Sequence, residues 1–375
     1  MTLPLTVWMN APSFYQDDLF TALMDSGEVD LRVIFARPLG EERKQLGWRL
    51  REPRYPVEFV DRGHAPAWLM RRAREGRNRL HLVNGLWGEP TFTLALVLLA
   101  RLGTRIAVYS EAPDPHRRRS LLKRNAQHIF GRWAARRLTC VFAVSGRARS
   151  YYEALGLPSS RVYSFGYFRE PPAEGHIAAC RGKDELLYVG SLVPRKGVEV
   201  LLRAVSPLLS RMRSVRLTII GTGPLRSELE SLANRLGISK QVEFIGAVPS
   251  DEIWTRLVGA AALVLPSWWD GWGLVVNEAM SVGVPAIVSD RCGAADVVRQ
   301  GVNGFVFPAG DATKLREALT RVLKQPAEAR EAMRANALMT GRTLTAGKAA
   351  HYLVECLRHV MAPHSSEMPR TPWAI

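Results

Sequence analysis

Two carboxylates, Asp270 and Glu278, lie eight positions apart in the stretch Pro266–Met280, directly after the apolar run Ala262–Leu265. One ionised carboxylate can accept hydrogen bonds from two neighbouring hydroxyls, so this pair suits a sugar and a ribose diol. Gly271, Gly273 and Leu274 offer backbone amides between the two acids. A second constellation lies upstream, where the apolar run ending at Val189 leads through Gly190 to the basic pair Arg195 and Lys196. Gly190 allows close approach of backbone, and two cations beside a helix N-terminus favour a diphosphate. A third, Gly221-Thr-Gly223-Pro224, removes side chains at another strand exit but falls short of a full dinucleotide fingerprint. Each feature has an ordinary reading as well. A basic pair can be a solvated turn, two glycines can be a tight turn, and acids are favoured near helix N-termini by the helix dipole. The ordinary reading accounts for Asp270 and Glu278 separately. It leaves the glycines, the tryptophans and the apolar strand unexplained in this order.

The elements that must hold these residues alternate along the whole chain. In the first half the spacing predicts strands at 5–9, 31–35, 79–83, 105–109, 140–144 and 161–164, with helices such as 16–25, 67–75 and 91–102 between them. In the second half strands are expected at 185–189, 216–220, 242–245, 262–265 and 285–288. Helices are expected at 198–211, 225–236, 251–260, 276–282 and 312–323, with two more near 327–338 and 344–360. Such alternation implies βαβ units and parallel sheets. The chain divides into a Rossmann-like domain over 1–170, a linker over 171–184 that carries two prolines, and a second Rossmann-like domain over 185–343. A helix over 344–361 is expected to pack back on the first domain, and the tail 362–375 to be mobile. Ligands of such sheets bind at the carboxyl ends of the strands, which places the expected site in an interdomain cleft.

The 375 residues suffice for two domains, and 47% hydrophobic with 23% charged residues is globular composition. The four cysteines are far apart with no paired spacing, so neither a disulfide framework nor a zinc site is expected. No signal-like N-terminus is seen, and the most apolar run, 92–100, is too short to span a bilayer. A cytoplasmic protein, soluble or peripheral on the inner face of the membrane, is the expectation. The net charge of +16 is a statement about partners. Nucleic acid, an anionic membrane surface and phosphorylated substrates all carry the complementary charge, but no nucleic-acid-binding signature accompanies it.

The segments Gly190–Gly197, Gly221–Pro224, Val242–Gly246 and Pro266–Pro285 together resemble the donor-binding half of family 4 retaining glycosyltransferases, of the GT-B fold. The resemblance runs in register from about Leu186 to Leu323. It implies an α/β architecture of two doubly wound domains and a nucleotide-sugar donor. Glu278 would bind the ribose hydroxyls, Asp270 the sugar hydroxyls, and the Gly271–Leu274 backbone would approach sugar and phosphate. Lys196 would neutralise the departing diphosphate. Similar enzymes use no metal, and this sequence has no convincing Asp-x-Asp motif: Asp17 and Asp18 fall on an expected helix and Asp114 stands alone. Two positions depart from the family. Ser191 stands where an arginine is common, a charge Arg195 would supply, and Asp270 is one methylene shorter than the usual glutamate.

The first half is less legible. Phe14 and Tyr15, after the first strand, either line an acceptor site or pack. Where the family often has a histidine, Glu111 stands at the strand exit, the candidate acceptor-side base, with His116 behind it and Trp87 and Glu89 as weaker candidates. From Arg117 to Arg137 eight basic residues occur without an acid, interleaved with Leu121, Leu122, Ile129, Phe130 and Trp133. That pattern fits an anionic membrane surface or a core-packed helix with a charged outer face. The reading is a hexosyltransferase-type enzyme acting with retention on a glycan or polyprenyl-linked acceptor, in surface polysaccharide biosynthesis, with no cofactor and no nucleic-acid partner. A sugar-nucleotide epimerase, a nucleic-acid-binding protein and a non-catalytic relative are the rivals.

Overall fold

The computed structural model describes residues 2–45, 48, 50–61, 63–87, 89–115, 120–171, 184–362 and 367–373. His116, the arginines 117–119, Cys180 and nearly all of the expected linker lie outside the described residues.

The first part of the chain runs β1 (Leu3–Met9), α1 (Phe14–Asp25), β2 (Val29–Phe35), α2 (Glu41–Gln45), β3 (Val57–Phe59), α3 (Ala65–Glu75), β4 (Leu80–Asn84), α4 (Pro90–Arg101), β5 (Arg105–Glu111), α5 (Leu121–Ala135), β6 (Cys140–Val144), α6 (Gly146–Ala154) and β7 (Val162–Phe165). The second runs β8 (Glu185–Val189), α7 (Val198–Leu209), β9 (Arg216–Ile220), α8 (Arg226–Arg235), β10 (Val242–Gly246), α9 (Ile253–Leu257), β11 (Ala262–Leu265), α10 (Val275–Ser281), β12 (Ala286–Ser289), β13 (Gly304–Phe307), α11 (Ala312–Lys324), α12 (Ala327–Gly341) and α13 (Ala346–Met361).

Two compact units result. One comprises residues 1–40, 50–168 and 346–375, the other 41–49 and 169–345. The first holds a seven-stranded sheet of order β3-β2-β1-β4-β5-β6-β7, the second a six-stranded sheet of order β10-β9-β8-β11-β12-β13. All neighbouring strands pair in parallel. Central strands such as β6 and β11 are buried at every position, as strands covered by helices on both faces must be. In each sheet the order reverses once: between β1 and β4 in the first, between β8 and β11 in the second. Doubly wound sheets offer their ligand crevice beside that reversal, at the carboxyl ends of the strands.

Two strands were not expected from sequence. β3 has three residues and no apolar run. β13 begins at Gly304, where a Cβ would lie 2.0 Å from the Ala286 carbonyl of β12. That close approach of two backbones selects glycine, and the glycine-rich sequence hides the strand. In the first unit α13 packs on α1, and Arg358 pairs with Glu28. The tail beyond it holds Trp373, whose buried ring lies 4.8 Å from that of Phe168 and 5.5 Å from that of Tyr352. The expectation of a mobile tail therefore does not describe Trp373. A large indole gains more from an aromatic pocket than it loses in chain freedom.

Candidate active site

The reversal in the second sheet sets β8 beside β11, with Leu187 paired to Leu263. Their exits are the two stretches that carry Lys196 and Asp270. After β8 the chain reaches Gly190, passes a short 3-10 turn over Pro194–Lys196, and enters α7 at Gly197. Gly197 is left-handed, with φ +64°, and a Cβ there would lie 2.3 Å from the Pro266 carbonyl of the β11 exit. The two loops thus touch backbone to backbone, which only glycine permits. Trp269 donates its amide to the Arg195 carbonyl at 3.2 Å, and the Arg195 guanidinium donates to the Trp269 carbonyl at 3.3 Å. Across this double tie the Lys196 ammonium meets the Asp270 carboxylate at 2.5 Å, both side chains largely buried. The Tyr188 hydroxyl donates to the Ser191 carbonyl of the same loop at 3.0 Å, and burial, then the nearby Asp270 carboxylate, push that phenol well above its ordinary pKa.

The β9 exit closes the floor. A Cβ on Gly221, at φ +140°, would lie 1.9 Å from the Gly190 carbonyl, and one on Gly223 2.4 Å from the Leu192 carbonyl. Gly190 donates to Ile220, and Leu192 to Thr222, so the two strand exits continue the sheet as paired backbone. Gly221 and Gly223 therefore set loop-to-loop contact first.

On the other side, the loop from Asp270 runs beside residues 291–294. Asp270 accepts at its carbonyl from Gly293, and Trp272 accepts from both Ala294 and the Cys292 thiol. The Gly271 carbonyl sits where a Cβ on residue 293 would be, 2.0 Å away, and Gly273 has φ +95° against Cys292. The buried Trp272 indole donates to Asn277 at 3.0 Å, and Leu274 opens α10 by accepting from Asn277 and Glu278. This explains the tryptophan and glycine spacing: the loop is a packed ledge that fixes where α10 starts.

Glu278, in the first turn of α10, is 5% exposed. Its carboxylate accepts from the Arg169 guanidinium at 2.7 Å. The same guanidinium donates to the Ser250 carbonyl at 3.1 Å and lies over the Trp254 ring at 5.3 Å. Arg169 was not a sequence candidate. It is the first residue of the second unit after Phe168, and in sequence it reads as the end of the first domain. A carboxylate on a helix as apolar as Val275–Met280 needs a cation, but nothing in the spacing singles out Arg169, which is followed directly by Glu170.

In the first unit Glu111 ends β5 and accepts from the Tyr167 hydroxyl at 2.5 Å. Tyr167 packs at 4.6 Å on Tyr15 and edge-on at 5.7 Å to Tyr109, whose hydroxyl donates to Gly166. Burial, then the Glu111 charge, raises the Tyr167 phenol well above its ordinary pKa, so it remains a donor to that carboxylate. Tyr15 thus belongs to an aromatic collar around Glu111. Phe14 adds an edge-on contact to Tyr15, and Trp87 turns away to pack on Phe130 at 4.7 Å. Among the described residues no group of three or more His, Cys, Asp or Glu could hold a metal ion.

Residues 178–339 match the family described as glycosyl transferases group 1. The alpha-D-kanosaminyltransferase of Streptomyces kanamyceticus is 31% identical over 218 residues, 55% of this chain and 56% of that protein. The D-inositol 3-phosphate glycosyltransferase of Frankia alni is 34% identical over 194 residues, 49% of this chain and 47% of that one. The chain spans about half the length of the curated relatives it matches. Among solved structures, Anabaena Alr3699/HepE in complex with UDP superposes with a TM-score of 0.75 over 95% of this chain and all of that one, at 15% identity. The fold is GT-B. Within that GT-B frame the group 1 segment contains Lys196, Asp270 and Glu278, and Glu111 falls outside it.

Proposed function

We propose that the protein is a glycosyltransferase whose second unit holds a nucleotide-sugar donor at the β8–β11 reversal. The observation that carries this reading is the Lys196–Asp270 pair formed there by two strand-exit loops, with Glu278 on the helix that follows. A glycosyl donor presents a diphosphate, a ribose diol and a sugar, and the ledge offers a cation, a carboxylate and a second carboxylate in that neighbourhood. Charge builds on the departing nucleoside diphosphate as the glycosidic bond breaks. A preorganised cation at that position stabilises it. In the proposed reaction Lys196 leaves Asp270 for the phosphate, with Arg195 beside it, and Asp270 then accepts from sugar hydroxyls. Glu278 accepts from the ribose. Two cations at the diphosphate do the work a metal would otherwise do, so transfer is expected to survive chelation. Retention of anomeric configuration follows from the family 4 resemblance. Glu111, held by Tyr167, is the proposed acceptor-side group, and a glycan or lipid-linked acceptor of a surface polysaccharide is the proposed acceptor class.

The names of the similar proteins leave the base open, because one is in complex with UDP and another is GDP-mannose-dependent. A thermal-shift panel of UDP-, GDP- and ADP-sugars identifies the donor, since a ligand that binds only the folded state raises its melting temperature. With that donor, Lys196→Ala is expected to lower the transfer rate by about 10²–10³, and Glu278→Ala to abolish donor stabilisation. Near-normal turnover in Glu278→Ala refutes the assignment.

A further inference from the structure

We propose that the outer face of α5 docks onto a lipid bilayer bearing anionic headgroups. Among the described residues the three most exposed large hydrophobics all lie on this one helix: Leu122 at 83%, Leu121 at 74% and Ile129 at 69%. Helical spacing puts Leu122 and Ile129, seven residues apart, on one face with Arg132 and Arg136. The opposite face carries Gly131, Ala134 and Ala135, the buried residues that seat the helix on the core. The aliphatic side chains therefore point away from the fold, where water contact costs free energy in proportion to their area.

The charges on this helix and at its C-terminal end are of one sign. Lys123, Arg124, Arg132, Arg136 and Arg137 occur between Ser120 and Arg137, and no acid does. Beside the helix a groove of about 730 Å³ toward α4 is lined by Val97, Ile129, Phe130 and Trp133 together with Arg101 and Arg137. Arg137 lies over the Trp133 ring at 4.4 Å, an arrangement that keeps the cation at an apolar boundary.

The occupant follows from what each candidate leaves uncovered. Nucleic acid would satisfy the cations and leave three large aliphatic side chains in water. A second copy of a chain with net charge +16 would bring like charge to a face without acids. An anionic bilayer accepts both, with aliphatic side chains among the acyl chains and arginines at the headgroups. No helix among the described residues is long and apolar enough to cross a membrane, so the attachment is to the surface.

The test is sedimentation of the full chain with vesicles of phosphatidylcholine containing phosphatidylglycerol, against pure phosphatidylcholine. Its readout involves no sugar, so its outcome is separable from that of the transfer reading. The wild type is expected to pellet with the anionic vesicles. L121S/L122S/I129S should lower vesicle affinity by well over tenfold, and R132Q/R136Q by about fivefold per charge. All five positions are exposed, so both variants should melt like the wild type and respond to a nucleotide-sugar as it does. The proposal is overturned if the wild type stays in the supernatant, or if the aliphatic variant pellets as the wild type does. It is equally overturned if α5 mediates a dimer that vesicles do not dissociate.

Discussion

The buried ion pair of Arg169 with Glu278 makes the sharpest prediction about the second unit. The two side chains are 9% and 6% exposed and meet at 2.7 Å. At such burial the net worth of the pair is small, because two desolvation costs offset the attraction, but removing one partner strands the other. Arg169→Met keeps volume and removes the charge, leaving the Glu278 carboxylate on an apolar helix. The expected cost is about 3–5 kcal/mol in unfolding free energy. A surface pair would cost about 0–1 kcal/mol. Arg169→Met with Glu278→Gln removes both charges and should recover most of the loss. Urea unfolding of the wild type, both single variants and the double variant closes the cycle, with unchanged m-values confirming that the transition is the same one. Two results would refute the reasoning: a cost for Arg169→Met within the surface range, or single-variant costs that simply add.

Two further predictions concern the floor and the first sheet. Gly221→Ala places a methyl 1.9 Å from the Gly190 carbonyl. It should destabilise the chain by at least about 1–3 kcal/mol and abolish stabilisation by the donor, read by thermal shift. His81 is fully buried; its Nδ1 accepts from the Trp8 indole at 3.1 Å and its Nε2 lies 3.0 Å from the Gly76 carbonyl, so both nitrogens are engaged by the neutral ring. Burial holds its pKa down to about 4, below the ordinary 6.5. The unfolded chain therefore binds the proton first as pH falls, and stability is lost between about 6.5 and 4, by about 3 kcal/mol in full. Unfolding free energies at neutral pH and near pH 4.5 measure it, and His81→Asn should flatten that portion of the profile.

The parallel sheets were legible because their strands are long apolar runs between helical periods. Cys140–Val144, Glu185–Val189, Arg216–Ile220 and Ala262–Leu265 fall where the spacing puts them. Two short strands were not: β3, three residues without an apolar run, and β13, whose brief apolar run opens on the contact glycine Gly304. The meeting of Lys196 with Asp270 was legible for a related reason: a glycine needed for backbone contact, as at Gly197 and Gly221, leaves a mark near the charged residue it positions. Arg169 left none. It lies 109 residues before Glu278, and its role depends on which carboxylate the fold buries, a fact about packing and not about spacing. Glu111 was found from its place at a strand end, but its partner Tyr167, 56 residues on, was hidden for the same reason.

Asp270 and Glu278, the two carboxylates of the proposed donor site, differ in what holds them, and the difference orders the proposed binding event. Lys196 faces Asp270 from the loop that leads into α7, so an incoming diphosphate can take the ammonium without exposing Asp270 to an apolar wall; sugar hydroxyls replace it. Arg169 is tied by the Ser250 carbonyl and the Trp254 face as well as by Glu278, so it keeps its place when the carboxylate turns to a ribose. A planar guanidinium has several donors in a fixed fork and can hold one carboxylate oxygen while the other oxygen accepts from hydroxyls. A lysine there has one point charge to give. Arg169→Lys should therefore retain most of the fold's stability, because the charge is kept, yet weaken donor binding more than it weakens folding. Titration of the donor and urea unfolding of that one variant separate the two. Equal losses in both would mean that Arg169 only compensates charge, and that the orientation of Glu278 is set by α10 alone.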